Sequence, residues 1–196
     1  MGKIFYLMGK SATGKDTIYE ELQKREDLEL RRLVLWTTRP IRSGETDGVE
    51  YHFTDEAGLQ QLRDEGKVIE ERVYQTVMGP WYYFTVDDSF IDLDRESYIA
   101  IGTIVSYNKI KKYYGSEVVI PVYIEVSDGV RLKRAMKRED KQEHPNYDEM
   151  CRRYLADQAD FSEENLSDAG IVKRFNNDGD RAMTVEEITA YIKQNM

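Results

Sequence analysis

The stretch that decides the fold is IFYLMGKSATGKDT, residues 4–17. Its first five residues form an apolar run that ends at Gly9, which is the pattern of a buried strand. A helix is predicted over 17–25, where apolar residues recur four positions apart. The spacing between strand and helix is G-x-x-x-x-G-K. Its glycines let the backbone curl until successive N–H groups converge, so the sequence predicts a phosphate-binding loop.

The side chains of this loop suit the phosphates of a nucleotide and a metal ion. Lys15 is placed to reach the β- and γ-phosphates as a point charge, and the helix that follows adds positive potential. Asp16 stands where Ser or Thr is usual, and its carboxylate is a suitable hard ligand for Mg²⁺. The candidate nucleotide-binding residues are therefore Gly9, Lys10, Ser11, Ala12, Thr13, Gly14, Lys15, Asp16 and Thr17.

The rest of the chain alternates predicted strands and helices. Further strands are predicted at 33–36, 98–101, 118–126 and 170–175, with helices ending at 114, beginning at 128 and covering 184–194. For the last helix, Thr184 is the predicted N-cap. This alternation is typical of an α/β fold with a parallel sheet flanked by helices. Segments 36–94 and 137–147 are polar and break the rhythm, so we expect insertions over the ligand end of the sheet.

A second anion site is predicted in TTRPIRSGETDGVEYHF, residues 37–53. Arg39 and Arg42 follow the end of a predicted strand and are placed to clamp one phosphate through charge-assisted hydrogen bonds. The hydroxyl of Tyr51 is available to the same anion. The alternative interpretation is a solvated loop with surface arginines.

This run resembles the segment that binds the GMP phosphate in guanylate kinases, which transfer the γ-phosphoryl group of ATP to GMP. With the phosphate loop upstream, the resemblance implies a P-loop kinase fold with ATP and GMP as substrates and Mg²⁺ as cofactor. It implies a core of 1–35, 95–136 and 148–196, a GMP-binding subdomain at 36–94 and a lid at 137–147.

The resemblance also assigns roles to single residues. On the acceptor side it implies that the GMP ligands are Arg39, Arg42, Tyr51, Glu70, Tyr83 and Thr85, with Glu70 and Thr85 at the guanine. On the donor side it adds Arg134 and Asn176 to the ATP ligands. The implied catalytic residues are Lys15, Arg39, Arg138 and Arg153.

Several positions depart from the family pattern. Leu35 and Trp36 replace a pair that begins with Ser, and Phe84 replaces a Gly. Ala100 and Gly102 stand where the family has two acids, which would support the metal or the guanine. These changes leave two alternatives open: a kinase for another nucleoside monophosphate, or a nucleotide-binding or interaction module without turnover.

The composition argues against several further classes of partner. The 196 residues contain 28 Lys plus Arg and 37 Asp plus Glu, a net charge of −9, which argues against a nucleic-acid partner. No apolar run approaches the ~18 residues of a membrane span. Cys151 is the one cysteine, so no intramolecular disulfide is expected. We therefore expect a cytoplasmic protein with small-molecule substrates and no membrane partner.

Overall fold

The computed structural model describes residues 1–76, 78–88 and 90–196. In chain order the elements are β1 (Ile4–Met8), α1 (Lys15–Gln23), a 3₁₀ turn (Glu26–Leu28), β2 (Leu30–Arg32), β3 (Trp36–Thr37), β4 (His52–Phe53), α2 (Glu56–Asp64), β5 (Val68–Thr76), β6 (Gly79–Val86), β7 (Ser97–Ile101), α3 (Ile104–Tyr114), β8 (Val119–Glu125), α4 (Asp128–Glu139), α5 (Tyr147–Asp160), α6 (Glu163–Asp168), β9 (Arg174–Asn176) and α7 (Arg181–Asn195).

The larger sheet has five parallel strands in the order β2-β7-β1-β8-β9. Its central strand β1 is buried on both faces because alternate side chains enter two separate cores. Tyr6 packs on one face with α3, whereas Phe5 and Leu7 pack on the other with α1 and α7. The predicted α/β class, a parallel sheet flanked by helices, is confirmed.

The smaller sheet lies wholly within residues 36–86 and has the order β4-β3-β6-β5. β5 and β6 form an antiparallel pair, and β3 joins β6 antiparallel and β4 parallel. This sheet has its own small core of Leu59, Phe84 and Val86. The smaller sheet therefore packs as a separate layer. In the sequence its strands lie between β2 and β7, inside the segment predicted as an insertion.

The strand predicted at 33–36 is wrong in its bounds. Strand pairing ends at Arg32 and resumes at Trp36, in the other sheet. Between them Leu33 is buried, and its N–H donates to the carbonyl of Ile99 at 3.0 Å. The apolar run is thus a connection that passes from one sheet to the other while staying attached to both.

Two boundaries near the C-terminus also differ from the prediction. The strand predicted from 170 begins only at Arg174. Gly170, with φ +69°, belongs instead to the turn that ends α6. The last helix begins three residues before Thr184, and its N-cap is Asp180, whose carboxylate accepts from the N–H of Ala182 at 2.9 Å. Thr184 is buried inside the helix, where its hydroxyl is bonded rather than capping.

Among the residues that the structure describes, no helix is both long and apolar enough to cross a bilayer.

Candidate functional site

The loop between β1 and α1 has the backbone that its glycines predict. Gly14 has φ +85°, and a Cβ on Gly9 would lie 2.7 Å from the carbonyl oxygen of Ile124 in β8. Ala12 has φ +65°, a conformation that residues other than glycine seldom adopt. Asn177 holds the loop from outside, because its side-chain N–H donates to the carbonyl of Thr13 at 2.8 Å. The loop is therefore a braced, tightly curled segment at the carboxyl edge of the sheet.

Lys15 and Asp16 open α1 with opposite charges. The Lys15 Nζ lies 3.5 Å from an Asp16 carboxylate oxygen, and the two side chains are 22% and 80% exposed. The ammonium is thus partly enclosed by the loop, while the carboxylate reaches into solvent. An exposed hard oxygen beside a phosphate loop fits Mg²⁺, which takes one or two protein carboxylates and completes its shell with phosphates and water.

A cavity of about 640 Å³ lies beside the loop, between α1, α4 and the start of α7. Asp16, Thr17, Arg134 and Arg138 line it. Arg134 is fixed there by hydrogen bonds to the carbonyls of Asn177 and Asp178 at 2.8 and 3.3 Å. Asn177, rather than the predicted Asn176, faces this cavity, and Asn176 is an exposed residue.

A second cavity, of about 310 Å³, lies between α4 and α5. Arg138 and Arg153 line it together with Ser11 of the loop. Arg138 therefore borders both cavities near the loop, and the two predicted catalytic arginines, Arg138 and Arg153, face the same space.

Asp157 joins α5 to the phosphate loop, a contact that the sequence did not predict. Its carboxylate accepts from the N–H of Ser11 at 2.7 Å and from Arg131 at 3.3 Å. Arg131 has no exposed surface, and its guanidinium lies 3.7 Å from the ring centroid of Tyr154. A buried guanidinium and a carboxylate thus tie the loop to α4 and α5, the helices that carry Arg138 and Arg153.

On the smaller sheet, Arg39 forms the centre of the predicted second anion site. It is 3% exposed, and its guanidinium donates to both carboxylate oxygens of Glu45 at 2.8 and 3.0 Å. It also lies 5.4 Å from the ring centroid of Tyr51 and 5.5 Å from that of Phe53. The guanidinium is therefore held rigidly by an acid and two aromatic rings.

The two threonines before Arg39 explain its position. The Thr37 hydroxyl donates to the carbonyl of Tyr82 at 2.8 Å and accepts from the Arg39 N–H at 3.1 Å. Thr38 accepts from the N–H of Tyr82 at 3.0 Å. Both side chains fasten the end of β3 to β6, so the turn that follows is fixed relative to the sheet.

Tyr51 and Tyr83 complete this group. The ring centroids of these two residues are 5.5 Å apart. The pKa of Tyr51 is raised mainly by burial and, to a smaller extent, by the neighbouring Tyr83. Its hydroxyl therefore stays protonated at neutral pH and can donate to an anion. The side chain of Arg42 is exposed, and its backbone N–H donates to Glu45 at 2.7 Å. The structure thus gathers Arg39, Tyr51 and Tyr83, with Arg42 at the rim.

A cavity of about 400 Å³ opens between the two sheets beside this group. Its lining combines parts of both sheets with α1: Tyr6, Tyr19, Arg32, Leu33, Leu35, Glu50, Tyr51, Arg72, Tyr74, Tyr83, Ala100 and Ile101. The predicted phosphate ligands Arg39 and Arg42 do not line this cavity, and Arg39 contacts it through the ring of Tyr51. The cations of the wall are Arg32 and Arg72, which with the phenols are suited to a phosphate monoester.

The residues predicted to contact a base, Glu70 and Thr85, do not line this cavity. Glu70 has a side chain that is 1% exposed, and its two oxygens accept from Thr85 at 3.1 Å and from Ser106 at 3.0 Å. Arg72 stands in front of it, with Nε 3.5 Å from the oxygen that Ser106 contacts. The guanidinium and not the carboxylate therefore faces the cavity.

Tyr6 takes the space at Gly102, one of the positions where acids are missing. A Cβ on Gly102 would lie 2.2 Å from the Tyr6 hydroxyl oxygen, so a side chain there would require Tyr6 to move. Sequence reasoning missed Tyr6, Arg72, Ser106 and Asp157 as site residues. The available signal for Arg72 was its spacing, two residues after Glu70 on one strand face, which places both side chains together.

The ion pair between Arg39 and Glu45 makes stability depend on pH. The hydrogen bonds from Arg39 and then from the Arg42 backbone lower the pKa of Glu45 below its unfolded value of about 4.3. The contribution of this ion pair to the free energy of unfolding is therefore fully present above the unfolded pKa. It is lost as the pH falls through the pKa of Glu45 in the folded protein. We expect the urea midpoint of the wild type to exceed that of Glu45→Gln at neutral pH, and the difference to shrink on acidification to about pH 3.

Glu143→Gln serves as the matched control for the loss of one carboxylate, because Glu143 is exposed and makes no ion pair with a described residue. A difference between wild type and Glu45→Gln that stays constant over the same pH range would contradict this account of the pair.

Comparisons with known proteins agree with this architecture. The family model described as guanylate kinase matches residues 1–165. A guanylate kinase of Mycobacterium bovis is 44% identical over 70 residues, which is 36% of this chain and 33% of that protein. That of Thermobifida fusca is 44% identical over 68 residues, covering 35% of this chain and 34% of that protein. The aligned part spans about a third of the length of these relatives.

A crystal structure of guanylate kinase from Anaplasma phagocytophilum has the same fold. It superposes with a TM-score of 0.59 at 22% identity, covering 98% of this chain and 85% of that one. This likeness confirms the predicted P-loop kinase fold. The resemblance drawn from the phosphate loop and the arginine segment is also confirmed, because the family model extends through both and over most of the sequence. The chain belongs to the guanylate kinase family.

Proposed function

We propose that this protein transfers the γ-phosphoryl group of ATP to GMP and releases ADP and GDP. The observation that supports this most is the shared cavity between the sheets. Tyr6 of β1 and Tyr19 of α1, which flank the phosphate loop, form one wall, and Tyr51 and Tyr83 form the other. An acceptor phosphate held by the second wall would lie next to the strand and the helix that flank the loop.

The proposed donor site is the loop 9–17 with Arg134 and with Asn177 in place of Asn176, and the cavity beside the loop supports it because Arg134 and Asn177 line that cavity. Loop N–H groups and Lys15 would hold the ATP phosphates. Asp16 would hold Mg²⁺, because its exposed carboxylate is next to that lysine. When bound, Mg²⁺ neutralises charge on the β- and γ-phosphates.

The proposed acceptor site holds the GMP phosphate through Arg39, Arg42, Tyr51 and Tyr83. The ion pair between Glu45 and Arg39 supports this role, because it fixes the guanidinium near Tyr51 and Tyr83 before a substrate binds. Glu70 would accept guanine N–H groups and Thr85 would bind O6. The acceptor phosphate oxygen is already an anion, so the transfer needs no general base.

Transfer then depends on charge stabilisation. Arg138 and Arg153 would lie over the transferring group when 137–147 closes as a lid over the core, and their common cavity supports this role. The acceptor subdomain is proposed as 36–94, and the core as 1–35, 95–136 and 148–196. Closure would also exclude water, which otherwise competes with GMP for the phosphoryl group.

A coupled assay of ADP formation tests the proposal, with GMP, dGMP, AMP, UMP and CMP offered as acceptors alongside ATP and Mg²⁺. We expect ADP release that depends on GMP. Turnover with UMP but not GMP would overturn the base assignment. Binding of ATP or GMP without ADP release on any acceptor would identify a nucleotide-binding module instead.

A further inference from the structure

A carboxylate lies directly beside the phosphate loop. Asp157 of α5 accepts from the N–H of Ser11 through its Oδ2 at 2.7 Å, and 17% of its side chain is exposed. A negative charge in this position repels an anion, and its hydrogen bond occupies an N–H that the loop can offer to a phosphate. Asp157 therefore braces the loop at a cost to nucleotide binding, unless another group neutralises its charge.

Arg131 of α4 is the cation that meets this charge. Its Nη1 donates to Oδ2 of Asp157 at 3.3 Å, and its side chain has no exposed surface. Its Nη2 lies 3.5 Å from a carboxylate oxygen of Asp128. The Nε and Nη2 atoms are buried without a hydrogen bond to a described residue. Burying a guanidinium with unused donors costs stability, so the fold alone does not favour an arginine here.

Gln158 makes a second contact between α5 and the loop. Its side-chain oxygen accepts from the ammonium of Lys10, and its side-chain N–H donates to Asp128 at 2.7 Å. Lys10 thus meets a neutral amide, and the side chain of Asp128 is 57% exposed. Asp157 is consequently the more enclosed of the two carboxylates, and Arg131 is the cation hydrogen-bonded to it.

This ion pair borders the place where the last phosphate of the donor would lie. Arg131 lines the same cavity as Arg138 and Arg153. Ser11 also lines it, so this part of the loop faces the two arginines that are proposed to act on the transferring group. The charge of Asp157 should therefore act on the terminal phosphate of ATP more strongly than on the two phosphates that ADP shares with it.

We propose that Arg131 is a positioning residue for the donor nucleotide. By neutralising Asp157, it allows this carboxylate to hold the Ser11 N–H without repelling the terminal phosphate of ATP. The inference rests on the proposed donor site, and it adds to that site a charge pair that sets the preference of the loop for a triphosphate over a diphosphate.

The test is the ratio of the ATP to the ADP association constant, measured by calorimetric titration of each nucleotide in excess Mg²⁺. Arg131→Met leaves the carboxylate without its cation, so we expect this ratio to fall about fivefold or more. Asp157→Asn removes the charge and keeps an oxygen for both hydrogen bonds, because the two donors share Oδ2. The guanidinium is then unpaired, so the ratio should rise about threefold or more.

The double variant Arg131→Met with Asp157→Asn should return the ratio to within about twofold of the wild type, since neither charge remains. Arg131→Lys keeps the charge and should also stay within about twofold. Lys133→Met and Asp160→Asn are the matched controls, because both residues are exposed on the same two helices and line neither cavity beside the loop. Their ratios should equal that of the wild type. Each ratio is internal to one variant, so a partial loss of folded protein cancels.

A purely structural role predicts a different pattern, because a distorted loop would change the ratio in the same direction in both single variants. Ratios that move together, or that stay unchanged in either single variant, overturn the inference. GMP-dependent release of ADP alongside such ratios would leave the proposed kinase activity intact. The expected opposite shifts, without ADP release on any acceptor, would support the charge pair and overturn the phosphoryl transfer. A wild type that binds neither ATP nor ADP would overturn both the donor site and the inference.

Discussion

Replacing Lys15 by methionine is expected to lower kcat for phosphoryl transfer on the order of 10²–10⁴-fold. The lysine opens α1 directly after Gly14, and only 22% of its side chain is exposed, so the ammonium is confined near the N–H groups of the loop. Negative charge builds up on the oxygen between the β- and γ-phosphates as its bond to the transferring group breaks, and no other lysine of the loop is placed at the helix start. Methionine keeps the stem and removes the charge.

The control for this effect is Lys24→Met, at the exposed C-terminal cap of the same helix. Initial rates of ADP formation give kcat, and calorimetry gives the affinity for GMP. Lys15 does not line the acceptor cavity, so GMP affinity should stay within about twofold of the wild type. A Lys15→Met enzyme with wild-type kcat would contradict the donor site as proposed.

The parts of the fold that could be predicted from the sequence are those set by local rules. The strand before the phosphate loop is confirmed residue by residue, because an unbroken apolar run bounded by glycine allows few alternatives. Gly9 and Gly14 were singled out for their backbone freedom, and both occupy positions where a side chain would clash or strain. Arg39 is at the end of a short strand, as its spacing indicated.

Elements whose bounds depend on tertiary pairing were predicted less well. The run 33–36 is apolar because Leu33 is buried against one sheet and Trp36 belongs to the other, and hydropathy does not distinguish a connection from a strand. Thr184 has a side chain that is typical of an N-cap, and the residue three positions later fits the capping-box pattern. The start of the helix is set instead by Asp180, four residues before the buried Thr184.

The base end of the acceptor cavity shows the same limit within the site. Glu70 was assigned by resemblance, but its exposure depends on which residues its strand places beside it. A register shift between Val68 and Glu70 sets Glu70 opposite Thr85 and Arg72 opposite Tyr83. Ser106 reaches Glu70 from α3, which lies 36 residues further along the chain. Contacts of this kind carry no local pattern, so they emerged only with the structure.

The donor side of the site had a similar gap. Asp157 contacts Ser11 across 146 residues, and nothing in the sequence around either residue marks them as partners. The contact matters because α5 also carries Arg153, so the loop and this arginine are joined through one helix. The position of Arg153 relative to the phosphate loop is thus partly set by Asp157, which accepts from Ser11 and pairs with Arg131.

Replacing Arg138 by methionine should lower kcat on the order of 10²–10⁴-fold while changing the KM for ATP and GMP much less. Arg138 borders both the cavity beside the loop and the cavity that Arg153 and Ser11 share, so its guanidinium is placed near the phosphates that the loop would hold. Its side chain is exposed and makes no hydrogen bond to a described residue, so its removal should leave the free energy of unfolding nearly unchanged.

Lys137→Met isolates the effect of charge on α4, because Lys137 is an exposed neighbour that borders neither cavity. Steady-state rates over a range of both substrates separate kcat from KM. A loss confined to the KM for ATP would mean that Arg138 holds the ground-state nucleotide, since an interaction equal in ground and transition states changes binding without changing the chemical step. A loss in kcat that Arg138→Lys restores only weakly would instead indicate the planar fork of arginine, which contacts two phosphate oxygens at once. The second pattern is the one expected of a residue that acts on the transferring group.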